Sequence, residues 1–101
     1  MMQGDSYNEA IRILNNAGNA VTPEDIIDLE ICIGQIRKTH LKGELTFYGG
    51  WWMVPLTQEE TFAIAPGPVK AQARIKWANG VIEGKKILGI RMEESMSKEK
   101  L

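Results

Sequence analysis

Apolar residues recur at helical spacing near the start of the chain and predict a first helix over residues 7–17. Ser6 followed by Glu9 matches a capping box, in which each side chain accepts a hydrogen bond from the other residue's backbone N–H. Gly18 comes directly after the periodic stretch and is a typical helix stop. The apolar positions that carry the pattern are Tyr7, Ala10, Ile11, Leu14 and Ala17.

A second helix start follows at Thr22-Pro23, because Thr is a favoured cap and Pro a favoured first helical residue. Two interpretations are open for the stretch that follows. One is a single helix over residues 23–41, and the other is two helices, 23–30 and 35–42, with a break at Gly34. Gly in a helix interior costs about 1 kcal/mol relative to Ala, so it permits the break without forcing it. The apolar positions are Ile26, Ile27, Leu29, Ile31, Ile33, Ile36 and Leu41.

Four of the seven aromatic side chains lie within residues 47–52, on both sides of a Gly-Gly pair. Because Gly49 and Gly50 can supply the positive φ angles of a tight turn, residues 44–54 predict a β-hairpin. Neighbouring residues of a strand point to opposite faces, so the hairpin has two different faces. The predicted core face contains Leu45, Phe47, Trp52 and Val54, and the second face contains Thr46, Tyr48, Trp51 and Met53.

The rest of the chain predicts further strands. A short strand covers residues 61–65, and residues 71–77 alternate between apolar and polar side chains. Asn79-Gly80 predicts a second hairpin, with Trp77 opposite Ile82. The return strand is expected to be interrupted over 83–86 and to resume over 87–92.

Together these elements predict one α+β domain over residues 1–92, followed by a polar tail, 93–101, that frays. Two or three N-terminal helices precede an antiparallel sheet with two hairpins. This is the element order of a winged helix-turn-helix, with 35–42 as recognition helix and 44–54 as wing. DNA is therefore the first candidate partner of a small regulatory protein. The predicted groove contacts are Gln35, Arg37, Lys38, His40 and Lys42.

The distribution of charge gives the DNA hypothesis mixed support. Residues 1–36 carry one basic side chain against six acidic ones, a net charge of −5, and residues 70–92 carry six basic against one acidic, a net charge of +5. Basic late strands would assist through Arg74, Lys76 and Lys85, with Gln72 beside them. However, the isoelectric point near 5.8 predicts no broad electrostatic footprint for nucleic acid.

The alternative function is a protein-protein interaction module, either an inhibitor or a self-associating subunit. Its predicted contact residues are Tyr48, Trp51 and Met53, because Trp and Tyr are frequent at the energetic centres of interfaces and Met adapts to irregular surfaces. The competing interpretation is that helices and late strands cover both faces of the hairpin, which would leave no site.

Composition indicates a soluble, non-enzymatic, cytoplasmic protein. No apolar stretch approaches the roughly 20 residues that a membrane span needs, and the start of the chain does not resemble a secretory signal. One Cys and one His cannot form a structural zinc site, and a single Cys fits a reducing compartment. We expect no metal and no cofactor, because the acidic residues near position 24 are explained by helix-dipole preference.

Overall fold

The computed structural model describes residues 1–101 and contains strands, not helices, in the first third of the chain. The predicted α+β fold with N-terminal helices is therefore wrong, and so is its winged-helix first half. The elements are β1 (Tyr7–Ile11), a 3₁₀ turn (Pro23–Asp25), β2 (Ile26–Ile33), β3 (Ile36–Thr39), β4 (Thr46–Tyr48), β5 (Trp51–Leu56), α1 (Gln58–Phe62), β6 (Gly67–Pro68), β7 (Ala71–Trp77), β8 (Ile82–Ile87) and β9 (Arg91–Met92).

Alternation with a period of two explains why residues 26–33 form a strand. Leu29, Ile31 and Ile33 are fully buried, whereas the residues between them are half-buried. Isoleucine branches at Cβ, which favours an extended backbone over a helix. Gly34, at φ +60°, then turns the chain into β3. The break near Gly34 is real, but it separates two strands.

The strands form two antiparallel sheets and a small ladder. Sheet I has the order β1-β5-β4, sheet II has the order β3-β2-β7-β8, and β6 pairs with β9. Both sheets contribute to one cluster of 16 buried apolar residues, so the molecule is a β-sandwich with a single core. Trp52 of sheet I is the largest of the fully buried side chains.

The aromatic hairpin has the predicted register. Gly49 and Gly50 have φ values of 57° and 86°, Tyr48 lies opposite Trp51, and Phe47 lies opposite Trp52. Unlike the prediction, β5 continues through Pro55 to Leu56. Because β4 ends opposite Met53, Pro55 has a strand partner on one side only, where a missing N–H donor is tolerated.

The β7–β8 hairpin differs from the predicted register by one residue. Ile82 lies opposite Lys76, not Trp77, because the loop has three residues and ends at Gly80 with φ +89°. The return strand is also continuous over Ile82–Ile87. A shift of one residue moves every side chain of a strand to the other face of the sheet. It therefore changes which β8 residues are presented to solvent.

A five-residue helix, α1, replaces the strand predicted over 61–65. Its start is a capping box, in which the Thr57 hydroxyl accepts from the Glu60 N–H and the Glu60 carboxylate accepts from the Thr57 N–H. The buried Thr61 hydroxyl accepts from the Gly4 N–H and donates to the Asp5 carbonyl oxygen, which ties the N-terminal segment to α1. None of the helical segments has the length and apolar character that crossing a bilayer requires.

Candidate functional site

The five groove contacts predicted at residues 35–42 do not lie on a helix. Gln35 lies in the β2–β3 turn, Arg37 and Lys38 lie on β3, and His40 and Lys42 lie in the turn that follows. The Arg37 side chain is exposed on the outer face of sheet II, whereas that of Lys38 is largely buried. The predicted recognition helix is therefore absent. DNA binding by these side chains stays a prediction, but without the recognition helix that was expected to present them to the groove.

Lys38 faces the interior and pairs with α1. Its neighbour across the ladder is the buried Ile31, and its Nζ lies 2.9 Å from Oε2 of Glu60, with the two side chains only 16% and 26% exposed. Burial raises the pKa of the Glu60 carboxyl, but the hydrogen bond from the Thr57 N–H and the Lys38 ammonium outweigh it, so this pKa lies below its ordinary value. The pair links sheet II to α1, which leaves Lys38 no free charge to offer a phosphate.

His40 belongs to the aromatic end of the core. Its ring meets that of Trp52 edge to face, with centroids 5.3 Å apart and planes at 78°. Phe47 packs on the same indole at a centroid distance of 5.1 Å. The His40 Nδ1 atom is buried and has no hydrogen-bond partner. These contacts give His40 a packing role around Trp52.

The late-strand cations predicted to act together lie on two faces. On the outer face of sheet II, Arg74 lies opposite Glu30 and Lys76 lies opposite Asp28, so cations and carboxylates alternate there. Lys85 lies opposite the buried Ala73 on the inner face, where its Nζ is 3.8 Å from Glu83 Oε2. Lys85 faces inward because the register of β8 differs by one residue from the predicted one. No continuous basic surface of the predicted composition forms.

The outer face of sheet I carries two exposed aromatic side chains, and we call it the aromatic face. Tyr48 is 80% exposed and Trp51 is 43% exposed, and the two lie opposite each other at the turn. Met53 beside them is half-buried. None of the strand residues on this face carries a charge, and the exposed Arg12, which follows β1 and lines a cavity with Trp51, lies at its border. The members of the aromatic face are Asn8, Ala10, Thr46, Tyr48, Trp51, Met53 and Pro55.

The free edges of both sheets are protected against pairing with another strand. Edge strands β1, β3 and β8 each carry an inward-facing charged residue, respectively Glu9, Lys38 and Lys85. The remaining edge strand, β4, has only three residues. Inward charges and short strands both discourage edge-to-edge association. A partner is therefore expected on a face of the sandwich and not along an edge.

Glu9 borders a cavity of about 520 Å³ between β1 and the end of β8. It shares the inner face of sheet I with the buried Val54, and Ile11 and Ile87 line the same cavity. Burial raises the pKa of the Glu9 carboxyl more than the amino group of Met1 lowers it. The ionised carboxylate is thus less favourable in the folded chain than in the unfolded one.

We expect Glu9→Gln to stabilise the protein at pH 7 by about 0.5 kcal/mol, a value discounted for the partial exposure of the site. A raised folded-state pKa means that wild-type stability falls as the pH rises from the ordinary carboxyl value, 4.5, through the raised one. The variant cannot ionise, so its advantage should vanish below about pH 4. Urea unfolding at both pH values measures this, and an equal difference at both would contradict the pKa assignment.

The sequence did not predict two structural features of the sandwich, the Lys38–Glu60 pair and the inward-facing carboxylate of Glu9. The spacing of Thr57 and Glu60 was a capping-box signal for α1, and it was available in the sequence. The pairing with Lys38 had no such signal, because it joins residues 22 positions apart.

The side chains of His, Cys, Asp and Glu form no group of three or more that is placed to hold a metal ion. The geometry that remains is an aromatic face with one cation, Arg12, at its border on one sheet and a charged face of mixed sign on the other. Comparison of the chain with protein-family models, with curated proteins and with solved structures finds no match.

Proposed function

We propose that the protein is a non-enzymatic interaction module that associates with a second copy of itself through the aromatic face. The observation that carries this proposal is the exposure of Tyr48 and Trp51 on a face whose strand residues carry no charge. Interface centres are depleted of charge and enriched in Tyr, Trp and Met.

Charge distribution favours a second copy as the occupant. In a twofold contact the same patch meets itself, so any charge near the axis approaches its own copy. The outer face of sheet II would bring Arg74 and Lys76 close to their own copies, whereas the strand residues of the aromatic face are neutral and Arg12 is the one cation at its border. Two aromatic faces can therefore stack as sheets do in a sandwich with less like-charge repulsion than two outer faces of sheet II.

The area of the aromatic face limits the affinity that we expect for dimerisation. Three strands about 4.8 Å apart and six residues with a rise of about 3.3 Å give a flat area of roughly 300 Å². Standard interfaces bury about 800 Å² on each partner, so contact through this face alone is weak. We expect a dissociation constant of about 0.1–1 mM.

Sedimentation equilibrium over a range of protein concentrations tests the proposal. Trp51→Ala is expected to weaken dimerisation about tenfold or more, because it removes the largest side chain of the face. Ile82→Ala is the matched control, since Ile82 is an exposed apolar residue (59%) on the other sheet. A protein that stays monomeric up to about 1 mM, or a Trp51→Ala variant that dimerises as well as wild type, would refute the proposal.

An intracellular, reducing location is part of the same proposal. Cys32 is the only cysteine, and it is a free thiol on sheet II. Burial and the nearby Glu30 carboxylate raise the pKa of the Cys32 thiol, which keeps it protonated and slow to react. A free thiol is stable in a reducing compartment, which supports this location.

A further inference from the structure

A groove of about 930 Å³ lies across the end of sheet II. Cys32, Gln72 and Lys86 form one row of the outer face of sheet II and supply one wall. The segments before β7 and after β8 supply the rest. We call this the basic groove, and the lining residues used below are Val69, Lys70, Lys86, Ile87, Leu88 and Arg91.

The basic groove has an excess of positive charge that the protein does not neutralise. Lys70 and Lys86 form no ion pair. Arg91 contacts Glu93 at 3.4 Å, but both side chains are about 60% exposed, which makes that pair weak. No carboxylate lines the groove, in contrast to the neighbouring rows of the sheet, where Glu30 and Asp28 lie opposite cations.

Apolar side chains lie beside these cations. Leu88 is 86% exposed at the groove, so its apolar surface is in contact with water. Val69 and Ile87 are half-buried and pack against the core from the same groove. A ligand that covered Leu88 would remove its apolar surface from water, which favours binding.

We infer that the basic groove binds a small organic anion with an apolar body. Lys70 and Lys86 would hold the anionic group, and Leu88, Ile87 and Val69 would contact the apolar part. The volume lies within the roughly 300–1,000 Å³ of small-molecule sites. An extended polyanion such as nucleic acid fits less well, because Glu30 and Asp28 continue the same sheet face and repel further phosphates.

Titration of the full chain with sodium octanoate, followed by amide chemical shifts in ¹⁵N–¹H spectra, tests the inference. Octanoate is expected to shift amides of residues 69–72 and 86–91. Acetate keeps the anion without the apolar chain, and octanol keeps the chain without the anion. Each should bind about fivefold or more weakly than octanoate if both contacts contribute.

Variants distinguish octanoate binding in the basic groove from general binding to exposed apolar surface. Lys70→Met and Lys86→Met should each weaken octanoate binding about threefold to fivefold, as expected for exposed cations. Lys76→Met is the control, because Lys76 lies on the same sheet face outside the groove and opposite Asp28. Shifts centred on the aromatic face, equal binding of octanol and octanoate, or unchanged binding in both groove variants would overturn the inference. Lys86 and Leu88 also line the cavity that Trp51 borders, so the two tests are separated by their variants: Trp51 does not line the basic groove.

Discussion

Trp52→Ala is expected to lower the free energy of unfolding by about 3–5 kcal/mol, the range for truncating a large buried aromatic residue. Trp52 is fully buried, His40 and Phe47 pack on its ring, and its indole N–H donates to the Val21 carbonyl oxygen at 3.0 Å. Removal leaves a cavity and an unpaired buried carbonyl. Small domains have only about 5–15 kcal/mol of stability in total. Urea unfolding followed by far-ultraviolet circular dichroism measures the loss.

The neighbouring Trp51 is the matched control, because it is the same residue type one position away on the same strand. Trp51→Ala should change stability by less than about 1 kcal/mol, since its side chain is 43% exposed. If Trp52→Ala does not fold, Trp52→Phe keeps part of the ring packing and should still lose about 1–3 kcal/mol. Equal losses at positions 51 and 52 would contradict the assignment of the two faces.

Glu60→Gln is expected to lower stability by about 2 kcal/mol at pH 7, because it leaves the largely buried Lys38 ammonium without its counter-charge. The lowered pKa of Glu60 gives the sign of the pH dependence. Its contribution is fully present above the ordinary carboxyl pKa of 4.5 and is lost as the pH falls through the lower folded-state value. The stability difference between wild type and variant should therefore shrink below about pH 4, which urea unfolding at several pH values measures.

Glu59→Gln is the control for this prediction. Glu59 is the adjacent residue on α1, its side chain is 82% exposed, and its contact with Lys100 is long at 3.8 Å. Its replacement should change stability by less than about 0.5 kcal/mol at any pH. A Glu60→Gln difference that persisted unchanged at pH 3 would show that lost packing or capping, and not the ion pair, is responsible.

The aromatic hairpin could be predicted because its signal is local. Two adjacent glycines define the turn, and the turn alone fixes that Phe47 lies opposite Trp52 and Tyr48 opposite Trp51. The prediction of N-terminal helices was wrong because short apolar runs fit both the helical period and the period of two of a strand. Ile31 and Ile33 match a strand with a period of two, yet Ile26 and Ile27 are adjacent and obscure the alternation. A local cap signal at Pro23 then favoured a helix where the structure has only a 3₁₀ turn.

The surface of sheet II shows how a small turn error changes a candidate site. Asn79-Gly80 correctly marks a hairpin, but the same pair occurs in loops of two and of three residues. The three-residue loop exchanges Lys85 for Lys86 on the outer face. Lys86 is what gives the basic groove its second cation. Contacts between layers, such as Lys38 with Glu60, depend on how the sheets stack and could not be obtained from spacing in the chain.

The three tryptophans lie in three different surroundings, so their fluorescence reports on three separate parts of the molecule. Trp52 is fully buried in the core, and Trp51 lies on the aromatic face. Trp77 lies on sheet II, where its indole N–H donates to Glu83 at 3.0 Å. A collisional quencher should therefore reach Trp51 before the other two. The emission of Trp51 should shift when the aromatic face is covered, whereas the emission of Trp52 should change only on unfolding. The chain thus carries separate optical reporters for association and for folding without any added label.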